Sequence, residues 1–241
     1  MRGQRQKLLR FFQSHPKEWV SLPDILSLGI AQYNARIHEL RRQGIIIENR
    51  KEMHDDGWHS WFRYISQEKQ IELFKKIRKI EGIKKVFIGS GVRYDLVVTD
   101  VEYGQKYLID LIEHHTSGQL KIAPEHTDQY VLELMGKSDQ KTLKKFKDDF
   151  YKINKNLGKK QFLTYYFISA HPGCTLRDMK KLNEFIKKEL KLNPEQVQIF
   201  TPTPSTYSSL IYYTGIEAFT RKKIFVEKDL KKKEEQKKAI C

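Results

Sequence analysis

Cysteine is nearly missing from this 241-residue sequence, which holds two, Cys174 and Cys241. That excludes a disulfide framework and suits a reducing compartment. It also leaves too few thiolates for an all-cysteine zinc site, or for an iron–sulfur cluster held by three cysteines. Long apolar runs are missing too. The stretch Phe162–Ala170 is interrupted by Thr164 and Ser169, far short of the roughly 18 apolar residues that span a bilayer. Near the start, Arg2, Arg5, Lys7 and Arg10 are followed by the polar stretch Gln13–Glu18, where a secretory signal would place its apolar core. The expected location is the cytoplasm, with no membrane partner. Patterns of the form GxSxG, GxxxxGK and GxGxxG do not occur, which takes away the usual footholds of serine hydrolases, P-loop proteins and dinucleotide-binding folds.

Apolar residues at 39% and charged residues at 31% describe a chain that folds around a core. The net charge is +15, an excess that favours anionic partners such as nucleic acid or phosphorylated cofactors without choosing between them. It is spread unevenly. Residues 1–66 hold 11 basic and 7 acidic residues, whereas residues 221–241 hold 9 and 4. The tail is therefore the most basic part for its length.

The first 66 residues read as helix, turn, helix, then hairpin. Leu8, Leu9, Phe11 and Phe12 recur with helical spacing, and Ser21 is an N-cap candidate ahead of Pro23 and Asp24. A turn at Leu28–Gly29–Ile30 leads to a helix over Ala31–Gln43, in which Tyr33, Ile37 and Leu40 form an apolar stripe and Gly44 is placed to end it. Ile45–Ile47, a turn at Asp55–Asp56–Gly57 and the aromatic run Trp58, Trp61, Phe62, Tyr64 read as a β-hairpin. This order resembles winged helix-turn-helix domains, above all in "LGIAQYNARIHELRRQGIIIENR" at 28–50. If the stripe faces a core, Asn34, Ala35, His38, Arg41 and Arg42 lie on or beside the opposite face and are the candidate DNA or RNA contacts. The same arginines equally fit the solvated back of a protein-docking helix.

From residue 67 helices and strands alternate. Helix Gln67–Ile80 precedes a strand at 84–89, "KKVFIG", and helix Gly104–His115 precedes strand Gln119–Ala123. Helices near Thr127–Met135 and Asp139–Leu157 precede strand Gln161–Ser169, and helix Thr175–Leu190 precedes strand Gln196–Phe200. Four strands separated by helices predict an α/β parallel sheet with right-handed crossovers. Ligands of such sheets meet the carboxyl ends of the strands. Those ends read Gly89–Ser90–Gly91, Pro124–Glu125–His126, His171–Pro172–Gly173–Cys174–Thr175 and Thr201–Pro202–Thr203–Pro204–Ser205–Thr206.

The runs "EHHTSGQLKIAPEH" at 113–126, "VLELMGK" at 131–137, "LGKKQFLTYYFISAHPGCT" at 157–175, "PEQVQIFTPTPST" at 194–206 and "YYTG" at 212–215 resemble, in order, the second half of YgiQ-type radical SAM proteins. The resemblance covers residues 67–227. It implies a partial parallel (β/α) barrel, radical-SAM-like and lacking its first strands, with S-adenosylmethionine (SAM) and a 4Fe-4S cluster as the family's cofactors. The family's CxxxCxxC loop has no counterpart here. A radical SAM-like chain that keeps the SAM-facing strands but cannot ligate the cluster is expected not to be catalytic by itself; the other reading is a winged-helix nucleic-acid-binding or interaction protein with a remnant barrel.

By resemblance, Lys121, Glu125, Ser169, His171 and Thr203 are the cofactor-facing positions. Taken singly, Glu125 also fits a carboxylate capping the next helix, and Ser169, His171 and Thr203 fit turn-making. His114, His115, His126, His171 and Cys174 match no metal-ligand spacing. The organisation expected is a winged helix over 1–66, a partial barrel over 67–220 and a basic helical tail over 221–241, solvated or frayed. A partial barrel with an apolar inner face predicts a homo-oligomer, or a separate cluster-bearing chain, as partner.

Overall fold

The computed structural model describes the chain apart from residues 1, 16–17, 31, 43–44, 46, 65, 195, 205, 218–219 and 241, and apart from the side chains of residues 2 and 3. The chain divides into two compact units, Met1–Phe87 with Asp95–His115, and Ile88–Tyr94 with Thr116–Cys241.

In the first unit the order is α1 (Arg2–Ser14), β1 (Val20–Ser21), α2 (Leu22–Ser27), α3 (Tyr33–Arg42), β2 (Ile47–His54) and β3 (Gly57–Tyr64). The strands form an antiparallel sheet in the order β1-β3-β2. Ser21 caps α2 in a capping box, its hydroxyl accepting from the Asp24 N–H while the Asp24 carboxylate accepts from the Ser21 N–H. Gly29 makes the following turn at φ +64°, a conformation open to glycine. Leu8 and Phe12 of α1, Ile25 of α2 and Ile37 and Leu40 of α3 fill one core with Val20 and Phe62 of the sheet. The helix ends expected at Ala31 and Gln43, and the stop at Gly44, lie outside the described residues.

The unit continues through α4 (Glu68–Arg78), and α5 (Tyr94–Thr99) is followed by α6 (Gly104–Asp110), which runs on as a π-helical turn over Leu111–His115. The strand expected at 84–89 does not form. The buried His115 imidazole binds the Val86 carbonyl at 2.7 Å, so the backbone group a sheet would use is already engaged by a side chain.

The second unit carries β4 (Gln119–Glu125), α7 (Gln129–Met135), α8 (Gln140–Asn156), β5 (Phe162–Ser169), α9 (Leu176–Phe185, extended by a π-helical turn over Ile186–Leu190), β6 (Gln196–Ile199), α10 (Tyr207–Thr214) and α11 (Leu230–Lys238). Strands β4, β5 and β6 form a parallel sheet in that order, and it does not close into a barrel. Where a fourth strand was expected, pairing is reduced to one parallel bridge, Val92 to Ile122, because the chain turns into α5 two residues later.

The tail is not frayed. Ile240 is buried, the Gln236 amide oxygen accepts from the Ala170 N–H at 3.1 Å, and the Lys233 ammonium donates to the Tyr212 hydroxyl at 2.9 Å. A lysine-rich helix can dock this way because its few inward positions are satisfied by specific partners while the other lysines stay in water. No helix among the described residues is long and apolar enough to cross a membrane.

Candidate functional site

Alternation along β4 and β5 gives the parallel sheet two unlike faces. Leu120, Ile122, Leu163, Tyr165, Phe167 and Val197 are buried on one. The other, more open face carries Gln119, Lys121, Thr164, Tyr166, Gln196 and Gln198. In register, Lys121 stands opposite Thr164 and Tyr166 opposite Gln196, and the Tyr166 hydroxyl donates to the Gln198 amide oxygen. This open face is thus mainly polar, where an apolar exposed face was expected; its apolar members are Phe162, half exposed, with Ala123 and Ile168.

At the carboxyl end of β4 the register slips between Ile122 and Glu125, and Glu125 is held at φ +64°, a left-handed conformation that costs a non-glycine residue energy. Its carboxylate pairs with the Lys137 ammonium at 2.9 Å. Lys137 arrives there because Gly136, at φ +67°, ends α7 and turns the chain back. Glu125 does not cap α7. That role belongs to Asp128, whose carboxylate accepts from the N–H groups of Tyr130 and Val131. Ala170, just past β5, is the matching feature at φ +56°.

Ser169 and His171 are buried and internally bonded. The Ser169 hydroxyl donates to the Gln198 carbonyl at 3.3 Å. His171 Nδ1 lies 2.8 Å from the Pro172 carbonyl, so it carries the proton, and Nε2 accepts from Ser208 at 2.8 Å. Burial pushes the His171 pKa down to about 4, which keeps the ring neutral. His126 is held likewise: Nδ1 accepts from the Asp128 N–H at 2.9 Å, leaving Nε2–H towards Cys174 Sγ at 3.5 Å. Burial pushes His126 down to about 4 and the Cys174 thiol up to about 12. A neutral thiol beside a neutral imidazole is not an activated nucleophile. No group of three metal-ligating side chains occurs among the described residues.

Thr203 is exposed, its N–H donating to Ser209 Oγ and its carbonyl accepting from Ser209 and Thr206. Of the five cofactor-facing candidates, Lys121 and Glu125 share the open side of β4, Ser169 and His171 are internal, and Thr203 lies in the loop after β6. Sequence reasoning passed over Lys137, Thr164 and Gln198. The signal for Lys137 was available in its place after Gly136.

On α3, Asn34, His38 and Arg42 are exposed and Ala35 is half-buried. Arg41 is engaged inside its own unit, its Nε and Nη2 donating to the Ile47 carbonyl at 3.1 and 2.7 Å. The guanidinium groups of Arg50 and Arg63 lie over the Trp19 ring, 4.4 and 4.6 Å from its centre.

No protein-family model matches the chain. Curated proteins do. Over 173 residues, 72% of this chain, it is 58% identical to a protein of Fusobacterium nucleatum named UPF0313 protein, covering 30% of that relative. A UPF0313 protein of Methanosarcina acetivorans is 47% identical over 168 residues, 70% of this chain and 22% of the relative. One from Clostridium perfringens is 42% identical over 169 residues, 70% and 25%. The chain spans less than a third of the length of these relatives, and across seven tenths of itself it is a homologue of proteins that carry the UPF0313 name.

Proposed function

We propose that residues 67–227 are the SAM-side half of a YgiQ-type radical SAM core and that these 241 residues do not run radical chemistry by themselves. The observation that carries the reading is the carboxyl edge of the parallel sheet, where two non-glycine residues, Glu125 and Ala170, are held left-handed beside a polar open face. Strain of this kind collects where a chain must present groups to a ligand. Similarity to UPF0313 proteins over most of the chain supports it.

The residues present fit one family cofactor and not the other. A 4Fe-4S cluster needs several thiolates on one loop, and Cys174 is a buried neutral thiol facing His126. SAM, whose ammonium and ribose hydroxyls seek a carboxylate, is suited to Glu125, with Lys137 releasing it on binding. Ser169 and His171 then act by holding the strand end rather than by touching the ligand.

Titration of the folded chain with SAM in a calorimeter should give saturable heat, with an affinity that Glu125→Ala weakens about tenfold, the loss of one charge-assisted contact. After anaerobic treatment with iron and sulfide the chain should stay colourless. Stoichiometric cluster loading with reductive SAM cleavage would overturn the reading, and so would SAM binding indifferent to Glu125→Ala.

A second reading is favoured by the first unit. The order α1-β1-α2-α3-β2-β3 with the sheet β1-β3-β2 supports a winged-helix reading of this unit, in which Asn34, His38 and Arg42, exposed on α3, are the contacting residues. As a nucleic-acid contact this face should lose duplex affinity steeply with salt and lose more on Arg42→Ala. Unchanged mobility of duplex DNA at low salt, with folded protein, sinks it.

A further inference from the structure

The amino-terminal halves of the same strands hold a second feature, a pocket of about 270 Å³ lined by Gln119, Lys121, Phe162, Thr164, Asn193 and Gln196. It lies at the opposite end of the strands from Glu125, and it needs nothing from the SAM reading. Its polar side chains lie along one wall with one of them, Thr164, unsatisfied among the described residues. Among the described residues lining it Lys121 is the one that carries a charge, and it is half-buried. Its cross-strand neighbour Thr164 has a hydroxyl shut off from solvent with no hydrogen-bond partner among the described residues. A hydroxyl left in that state is costly, and an acceptor brought within its reach relieves the cost. The carboxamides of Gln119, Asn193 and Gln196 add further donors at the rim. The rest of the wall is apolar: Phe162 is 53% exposed and stands beside Leu192 and Pro194.

We propose that this pocket binds a small carboxylate with an apolar body, the carboxylate seated between the Lys121 ammonium and the Thr164 hydroxyl and the body lying on Phe162. One cation with neutral donors matches a single negative charge, whereas a dianion would leave charge unmatched in a half-buried site. The exposed ring gives the body a surface to cover, and the amides fix orientation rather than affinity.

The test uses phenylacetate as probe, phenylacetamide as its neutral counterpart, and amide NMR spectra of the full chain. Phenylacetate should shift the resonances of Lys121 and Thr164 saturably, and phenylacetamide should bind about tenfold more weakly, the scale of a lost charge-assisted contact. Lys121→Met should abolish that preference, and Thr164→Val should weaken phenylacetate binding without lowering the melting temperature. If Lys121→Met fails to fold, the acid-against-amide comparison on the native chain decides alone. Equal shifts from the two probes, shifts that map away from the pocket, or none at all overturn the proposal. Failure here leaves SAM binding at Glu125 untouched, and failure there leaves this pocket untouched.

Discussion

The two sheets hold themselves together by different means. In the antiparallel sheet, six of the eight residues of β2 are exposed, and at the hairpin end Met53 pairs with Trp58, both more than half exposed. Its contacts run side chain to side chain across the strands, as in the Arg63–Glu48 ion pair at 2.6 Å and the two arginines over Trp19. In the parallel sheet β4 and β5 alternate strictly, every second residue being buried. Cross-strand surface pairs contribute tenths of a kcal/mol to about 1 kcal/mol each, whereas a buried aromatic contributes several times more. The hairpin can therefore vary its surface freely, and the parallel sheet cannot vary its buried face.

The widest gap should appear between Phe167 and Trp58. Phe167→Ala, at a fully buried position, is expected to cost about 3–5 kcal/mol in chemical denaturation, and Trp58→Ala, at 67% exposure, less than about 0.5 kcal/mol. Comparable losses would erase the contrast.

Acid should sharpen it. His126 and His171 are held neutral with pKa values near 4, against 6.5 when unfolded. Their contribution is complete above pH 6.5. Below that the unfolded chain takes up protons that the folded one refuses, so stability falls until about pH 4, by up to roughly 3 kcal/mol for each ring. Denaturation curves at pH 7 and pH 4.5 test this, and replacing His126 by Gln should flatten the fall by about half.

A smaller effect is expected of Gln236→Leu. It strips the acceptor from the buried Ala170 N–H, so the second unit should lose about 1–3 kcal/mol. A loss near zero would mean that α11 is a surface ornament after all. Least of all, a double-mutant cycle on Arg63 and Glu48 should return about 0.2–1 kcal/mol, falling with salt.

Much of the architecture is legible where local rules and burial agree. Ser21 with Asp24, the Asp55–Asp56 turn, the Ile37–Leu40 stripe and the strands beginning near Gln119 and Gln161 agree with the reading. What resists reading depends on partners distant in sequence. "KKVFIG" has strand composition, yet His115, 29 residues on, binds the Val86 carbonyl. Arg41 looks like a free cation on a helix face until the Ile47 carbonyl is found beneath it. His171 and Ser169 sit at a strand end, as a ligand-facing pair would, but their hydrogen bonds point inwards. Lys121 and Glu125 were recognised on β4, while the Lys137 ion pair and the idle Thr164 hydroxyl required the folded neighbourhood.

The bond from Ala170 to Gln236 also sets an order of events during synthesis. The two residues are 66 positions apart, and at about 5–20 residues per second the ribosome needs roughly 3–13 s to make that stretch. Throughout that interval the end of β5 carries a backbone donor that its native partner has not yet reached. The second unit therefore becomes native late, and a nascent chain halted before residue 236 should present a soft strand end to chaperones and proteases.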